Sequence, residues 1–188
     1  MEKWQTIKSS YIYKTPFGNL RDDYCELPNG ERIEHYYVKE YPHWVNAVVL
    51  TKDERMVFVK QYRQGTKEIT LEIPGGKVEE GETVEAAILR EIKEETGYTS
   101  DHPLIELGEF AVNPADQNNK ITTYMMLESY QGFKQSLDKT EDIEVTLVKI
   151  SEVEALIKKK HLTQLFSAHA YLLAKEFLQN NQKQFKLK

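Results

Sequence analysis

The octet Arg-Glu-Ile-Lys-Glu-Glu-Thr-Gly, residues 90–97, sets Glu91, Glu94 and Glu95 in the last turn of a helix-periodic segment that Gly97 would stop. Carboxylates are unfavourable there. A helix C-terminus carries partial negative charge, and like charges three or four residues apart repel, each effect amounting to about 0.3–1 kcal/mol. With Val84 set at zero and a turn of about 100° per residue, Ala87 falls at about 300°, Ile88 at about 40° and Ile92 at about 80°. On the same scale Glu91 falls at about 340° and Glu95 at about 20°, inside the apolar stripe, and Glu94 borders it at about 280°. Inward carboxylates without a partner are costly and tend to take up a proton. The base considered as their partner, Lys93, lies at about 180°, on the far side of the helix. A divalent cation bound by the acids would resolve the conflict.

The chain has 188 residues, 40% hydrophobic and 29% charged, enough for one well-packed domain with a small appendage. Its formal charge of −5 gives no general attraction to nucleic acid or to an anionic membrane surface. No nucleic-acid partner is therefore expected, and an anionic substrate would need a metal or a local basic site. Cys25 is the single cysteine, so no disulfide can form within the chain, as fits a reducing compartment. The opening MEKWQTIKSS lacks the apolar run of a signal peptide, and no stretch has the length of a membrane span. The expectation is a soluble, cytoplasmic protein without a membrane partner.

Residues 6–41 alternate between strand and turn signals, with Asn29-Gly30 as a hairpin turn whose two residues must both accept positive φ. Pro42 and the Ala/Val-rich run 44–51 mark a boundary, giving an N-terminal β-module over 1–43 and a second domain over 44–188. Further strands are expected at 56–63, 69–73, 104–112, 121–129 and 143–150, with 74–82 and 113–120 as loops. Thr83 should cap the acidic helix and Gly97 close it. Two helices follow, one over 151–160 capped by Ser151, the other over 163–179. In the latter, Leu165, Phe166, His169, Leu172, Leu173 and Phe177 stand at core spacing, with His169 read as a core-edge residue.

Gly76, Glu82, Arg90, Glu91, Ile92, Glu94, Glu95, Gly97 and Tyr98 together form a spaced pattern that resembles the Nudix box, Tyr98 standing where the family has an aliphatic residue. By average composition, a chance match in a chain of this length is roughly one in ten million. The resemblance implies an α/β fold, a Nudix α/β/α sandwich with a mixed central sheet beside the small β-module. It implies hydrolysis of a nucleoside diphosphate linked to a further group, with Mg²⁺ as cofactor and Mn²⁺ able to substitute. It also assigns metal binding to Glu91, Glu94, Glu95 and the backbone carbonyl of Gly75, while Glu82 and Arg90 shape the loop and orient the helix. Hard cations do prefer such oxygen donors. Glu79 and Glu80, at variable positions, read as solvated.

The branch that looks most similar is that of the ADP-ribose and nucleotide-sugar pyrophosphatases. There an acid from a downstream loop serves as base or completes a metal site, and Glu141 stands in the corresponding loop, with Glu144 as second choice and Glu94 as the alternative within the box. Pro114, sixteen residues past Tyr98, resembles a marker of that class. The β-module resembles the region through which such proteins form homodimers and build the substrate pocket from both chains. Arg63, ending the strand at 56–63, could bind a diphosphate bidentately. The loop 113–120 lacks the family's glycine and serine-glutamate pair. Its Asp116, Gln117, Asn118 and Asn119 could bind sugar hydroxyls instead, and Tyr13 or Phe17 could stack on a base. Two other readings stand beside this nucleoside diphosphate sugar hydrolase. One is a Nudix enzyme for dinucleoside polyphosphates, nucleoside triphosphates or capped RNA; the other is a sensor that binds nucleotide-sugar without turnover.

Overall fold

The computed structural model describes residues 1–181; the final residues of the expected 44–188 domain, 182–188, lie outside the described part. The chain divides into two compact units, one of Met1–His43 with Phe110–Ile121, the other of Trp44–Glu109 with Thr122 onward. The segment Phe110–Ile121, which the sequence reading assigns to the second domain, thus groups with the N-terminal strands.

In the first unit, β1 (Gln5–Thr15), β2 (Gly18–Glu26) and β3 (Arg32–Glu40) form an antiparallel sheet in that order. The β2–β3 turn bonds Gly30 N–H to the Leu27 carbonyl at 2.9 Å. Only Gly30 of the Asn29-Gly30 pair takes positive φ, because the turn is longer than the two-residue hairpin expected and Asn29 instead accepts Glu31 N–H through its side chain. Asp23, 4% exposed, is held by Arg21 and Ser9, and Arg21 also pairs with Glu40. The segment 110–121 lies along β3: Lys39 N–H donates to Asp116 O at 2.7 Å, and Asn118 N–H to Lys39 O at 3.3 Å. Every residue of β1 is exposed.

The second unit holds an eight-stranded sheet, a mixed sheet whose main path runs β11-β5-β4-β10-β8. Its strands are β4 (Trp44–Thr51), β5 (Arg55–Arg63), β6 (Glu68–Glu72), β7 (Gly75–Lys77), β8 (Tyr98–Thr99), β9 (Ile105–Ala111), β10 (Lys120–Gln131) and β11 (Ile143–Lys149), with β6 on β5, β7 on β4 and β9 on β10. β7 lies inside the stretch expected to be loop: Gly75 and Gly76 pair with Asn46 and Val45. Strand periodicity sorts the core into two layers. On one face Val45, Ala47, Val49, Tyr124 and Met126 pack with Ala87, Ile88 and Ile92 of α1 (Val84–Thr96). On the other, Val48, Leu50, Phe58, Met125 and Leu127 meet Val153 of α2 (Ile150–Lys158) and Ala170, Tyr171, Ala174 and Leu178 of α3 (Leu165–Asn180). Strands buried on both faces read as near-continuous apolar runs, as 44–51 does apart from the buried Asn46 and Thr51.

Both terminal helices depart from expectation in detail. Ser151 lies inside α2, whose cap position is Lys149, and α3 is capped by Gln164. The buried face of α3 is Ser167, Ala170, Tyr171, Ala174 and Leu178, while Leu165 is 70% and Leu172 55% exposed. Phe177 packs against the core and Phe166, His169 and Leu173 are half-buried, so the expectation fails at Leu165 and Leu172, while Ser167, Ala170 and Ala174 allow close approach to the sheet. No helix among the described residues is long and apolar enough to cross a membrane.

Candidate functional site

Helix α1 begins as the sequence requires: Thr83 Oγ1 accepts Ala86 N–H at 3.1 Å, and Gly97 closes it with φ 73° in the left-handed region. A side chain at Gly97 would also meet the Phe133 carbonyl 2.3 Å from its Cβ. The carbonyls at the helix end, which the macrodipole makes electronegative, are satisfied by the downstream loop. Ser136 N–H donates to Glu94 O at 2.9 Å, Gln135 Nε2 to Glu95 O at 2.6 Å, and Gly132 and Phe133 N–H to Gly97 O. Gln135 also donates to Ile143 O, tying the helix end to the start of β11. These bonds carry the loop bearing Glu141 to the acidic helix.

Arg90 supplies the cation that the phase argument passed over. Its Nε and Nη2 grip Glu82 at 2.9 and 3.0 Å, Nη1 donates to Glu91 at 2.9 Å and Glu94 at 3.1 Å, and Nη2 also reaches the Lys77 carbonyl. Glu82 is held below its usual carboxylate range by this contact. A bound metal is therefore not needed to account for Glu91 and Glu94 alone.

Glu95 is different. It is 4% exposed, and its carboxylate accepts the Gly75 N–H at 3.0 Å, with no ion pair to a base among the described residues. Burial, and then the charges of Glu91 and Glu141, push it up to about 8, against the pull of the Gly75 N–H and of Arg63. Glu91 is raised too, by burial first and by Glu94 and Glu141, with Arg90 opposing. Its carboxylate lies so close to Gly76 that a Cβ there would stand 2.2 Å from Oε1. The glycine is thus required for close approach.

The loop facing these acids is fixed residue by residue. Glu72 is bound by both Arg63 and Thr70, Ile73 N–H donates to the buried Ser167 Oγ at 2.9 Å, Ala47 N–H donates to Pro74 O at 3.0 Å, and Gly75 bonds Glu95. Arg63 does not offer its fork outward: Nε and Nη2 meet Glu72 at 2.9 and 2.7 Å. Glu141 is exposed and accepts Asp138 N–H at 3.0 Å, a contact that rigidifies its own turn. Glu144 is exposed on β11 and paired with Lys60. Pro114 and Asn118 belong to the other unit, where Asn118 Oδ1 accepts Tyr41 N–H at 3.3 Å. Glu72, Gln135 and Ser167 were missed from the sequence. An acid two residues before Pro-Gly-Gly was a usable signal for Glu72; the irregular loop around Gln135 offered none.

Among the described residues no three His, Cys, Asp or Glu side chains stand ready as a metal cage. The fit is to a cation with few protein ligands. Mg²⁺ commonly binds through one or two carboxylates, with substrate phosphates and water completing its shell. Glu91 and Glu95 supply two oxygen donors whose burial and mutual repulsion a divalent cation would offset.

Residues 41–171 match the model of the NUDIX domain, and residues 4–38 that of the nucleoside diphosphate sugar hydrolase N-terminal domain. The chain is 32% identical over 178 residues to an ADP-ribose pyrophosphatase of Bacillus subtilis (strain 168), covering 93% of this chain and 95% of that one. It is 31% identical to a methanol dehydrogenase activator of Bacillus methanolicus, covering 94% and 96%. A crystal structure of an ADP compounds hydrolase superposes with a TM-score of 0.83 at 19% identity, covering 96% of this chain and 97% of the other. The two Bacillus relatives bear different names, so their likeness by itself carries family and fold. The family in general uses divalent metal ions.

The state of Glu95 has a direct thermodynamic consequence. An acid whose pKa is raised by folding keeps its proton in the fold after the unfolded chain has lost it, so stability falls as pH rises from about 4.5 to about 8 and then levels off. In chelator-treated protein, Glu95→Gln should therefore gain on the wild type in thermal unfolding by a margin that grows across this window. A margin independent of pH would show that Glu95 is not the titrating group.

Proposed function

We propose, because this chain belongs to the Nudix family of hydrolases, that it cleaves the diphosphate bridge of a nucleoside diphosphate sugar, ADP-ribose first among them, releasing a nucleoside monophosphate and a sugar phosphate. The observation that carries this reading is Glu95, buried, without an ion pair among the described residues and fastened to the Gly75 N–H beside Glu91.

Glu91 and Glu95 would hold the divalent cation, Mg²⁺ or in its place Mn²⁺, with Glu94, Glu141 and the Gly75 carbonyl as further ligands. When bound, the cation supplies positive charge against the phosphoryl oxygens and the leaving phosphate. Arg90 keeps Glu91 and Glu94 in register with the loop. Glu141 is assigned as the base: as the water oxygen bonds to phosphorus and the bridging P–O bond breaks, the carboxylate takes the water's proton. Glu94 is the alternative acceptor. Arg63 contributes its charge to the diphosphate.

Recognition of the sugar is assigned to Pro114, Asn118 and their loop. Supporting this, Pro114 and Asn118 are exposed, and the Asn118 amide can both donate and accept. Hydroxyls, which donate and accept, suit such a group. A homodimer is the assembly we infer, and the first unit, the N-terminal β-module of the sequence reading, supports it. Its β1 is exposed throughout, and Trp4, Ile7, Tyr11, Ile12, Tyr13 and Phe17 are each at least 45% open. An exposed edge strand carrying these aromatic and aliphatic side chains invites a partner, and a second copy is the occupant inferred. A nucleotide-sugar substrate and a lone cysteine, Cys25, buried and free, fit a cytoplasmic setting.

Incubation with Mg²⁺ and a panel of ADP-ribose, GDP-mannose, dinucleoside polyphosphates and nucleoside triphosphates tests the reading. Turnover is expected for the sugars, falling by orders of magnitude in Glu95→Gln; turnover of triphosphates alone would refute it, as would binding without turnover. For assembly, sedimentation at micromolar concentration should show twice the chain mass of 22.0 kDa. A monomer there would remove the dimer.

A further inference from the structure

We propose that Glu72 is a positioning residue for the hydrolysis: it fixes the plane and direction of the Arg63 guanidinium, so that a substrate diphosphate meets a cation already aimed at the acidic site. This rests on the reading that Arg63 contacts the diphosphate.

Register shows that the direction is imposed. Across β5 and β6, Arg63 stands opposite Glu68, while Glu72 stands opposite Val59. Directly opposed residues have Cβ atoms about 5 Å apart, so the exposed Glu68 is the acid that local geometry offers. Arg63 instead turns back along the strand past the Gln61–Thr70 pair and closes a bidentate pair with Glu72 at 2.9 and 2.7 Å. Glu72 is 6% exposed, and Thr70 Oγ1 holds its Oε1 from the other side. Burial pushes the Glu72 carboxyl up, yet the bonds from Arg63 and Thr70 outweigh it and keep it below its ordinary value. The pair is therefore ionic.

The direction has a target. Glu72 is followed by Ile73, Pro74 and Gly75, and Gly75 is bonded to Glu95. Arg63 feels the charges of Glu95 and Glu141 in addition to that of Glu72. A free guanidinium in that field would collapse onto the very carboxylates assigned to the cation. Glu72 prevents this by occupying the Nε–Nη2 edge, and it leaves the positive charge in place for phosphate oxygens. A bound arginine also has less rotamer freedom left to lose when substrate arrives.

Steady-state kinetics with ADP-ribose and Mg²⁺ on the wild type, Glu72→Gln, Arg63→Ala and the double variant test this, with thermal unfolding confirming that each is folded. Glu72→Gln should raise KM by about tenfold while kcat stays within about threefold, the signature of lost ground-state binding. Because Glu72 acts through Arg63, the double variant should be no worse than Arg63→Ala alone. If Arg63→Ala raises KM and Glu72→Gln leaves it unchanged or lower, the positioning role is overturned and the diphosphate reading stands. If Arg63→Ala leaves KM unchanged, both fall. A further loss in the double variant also overturns the proposal. Should Glu72→Gln fail to fold, Glu72→Asp, which keeps the charge but withdraws it by one methylene, should still raise KM severalfold; an unchanged KM would overturn the role.

Discussion

A carboxylate is buried against a backbone N–H: Glu95 on α1 and Gly75 at the start of β7, 3.0 Å apart. Neither group has a better arrangement available. The helix phase turns Glu95 inward with Ile88 and Ile92, and the strand pairing of Gly75 with Asn46 leaves no room for the loop to withdraw. Burial alone would drive the acid to keep its proton, and the neighbouring charges of Glu91 and Glu141 reinforce that. The site is thus built in an electrostatically unfavourable state that one divalent cation would reverse. Strain of this kind is expected where a protein is shaped for a ligand rather than for its own stability.

The rest of the second unit keeps that contact in place. The two-sided core sets β4 rigidly between α1 and the α2–α3 layer, and β4 carries β7. From the α3 side Ser167 reaches the backbone of Ile73, so the loop before the glycines is anchored to both layers of the sandwich. Arg90 and Gln135 perform the same service at opposite ends of the acidic stretch, one by gathering side chains and the other by gathering carbonyls. Removing apolar area from water gives about 25 cal/mol per Å², and it is this non-directional gain that sustains a directional, costly site.

How much of this could be read from the residues depended on the range of the interaction. Helix α1 was legible to the residue, cap and stop included, because a 3.6-residue period, Thr83 and Gly97 are all local signals. The longer strands were found for the same reason, whereas the short β7 and β8 were not. What failed was tertiary. Arg90 was expected, through the family resemblance, to shape the loop with Glu82, but its pairing with Glu91 and Glu94 escaped the helix phase. Strand β7 has glycines where propensity argues for loop, and pairing with β4 overrides it. On α3 the expectation failed at Leu165 and Leu172, where side-chain size was allowed to stand for burial. For the site, the box acids were visible through spacing; Glu72 had a local signal in the Pro-Gly-Gly that follows it, whereas Gln135 works through Glu95, forty residues away, and carries no mark.

The central claim is that Glu95 is an inward acid kept protonated until a divalent cation arrives. Calorimetric titration with Mn²⁺ in buffers of different ionisation enthalpy measures the protons released on binding. Near pH 7, below the value of about 8 at which Glu95 titrates, the account predicts release of about one proton per cation, vanishing well above pH 8 and absent in Glu95→Gln. Cation uptake with no proton release at either pH, or uptake undiminished by the substitution, would contradict it.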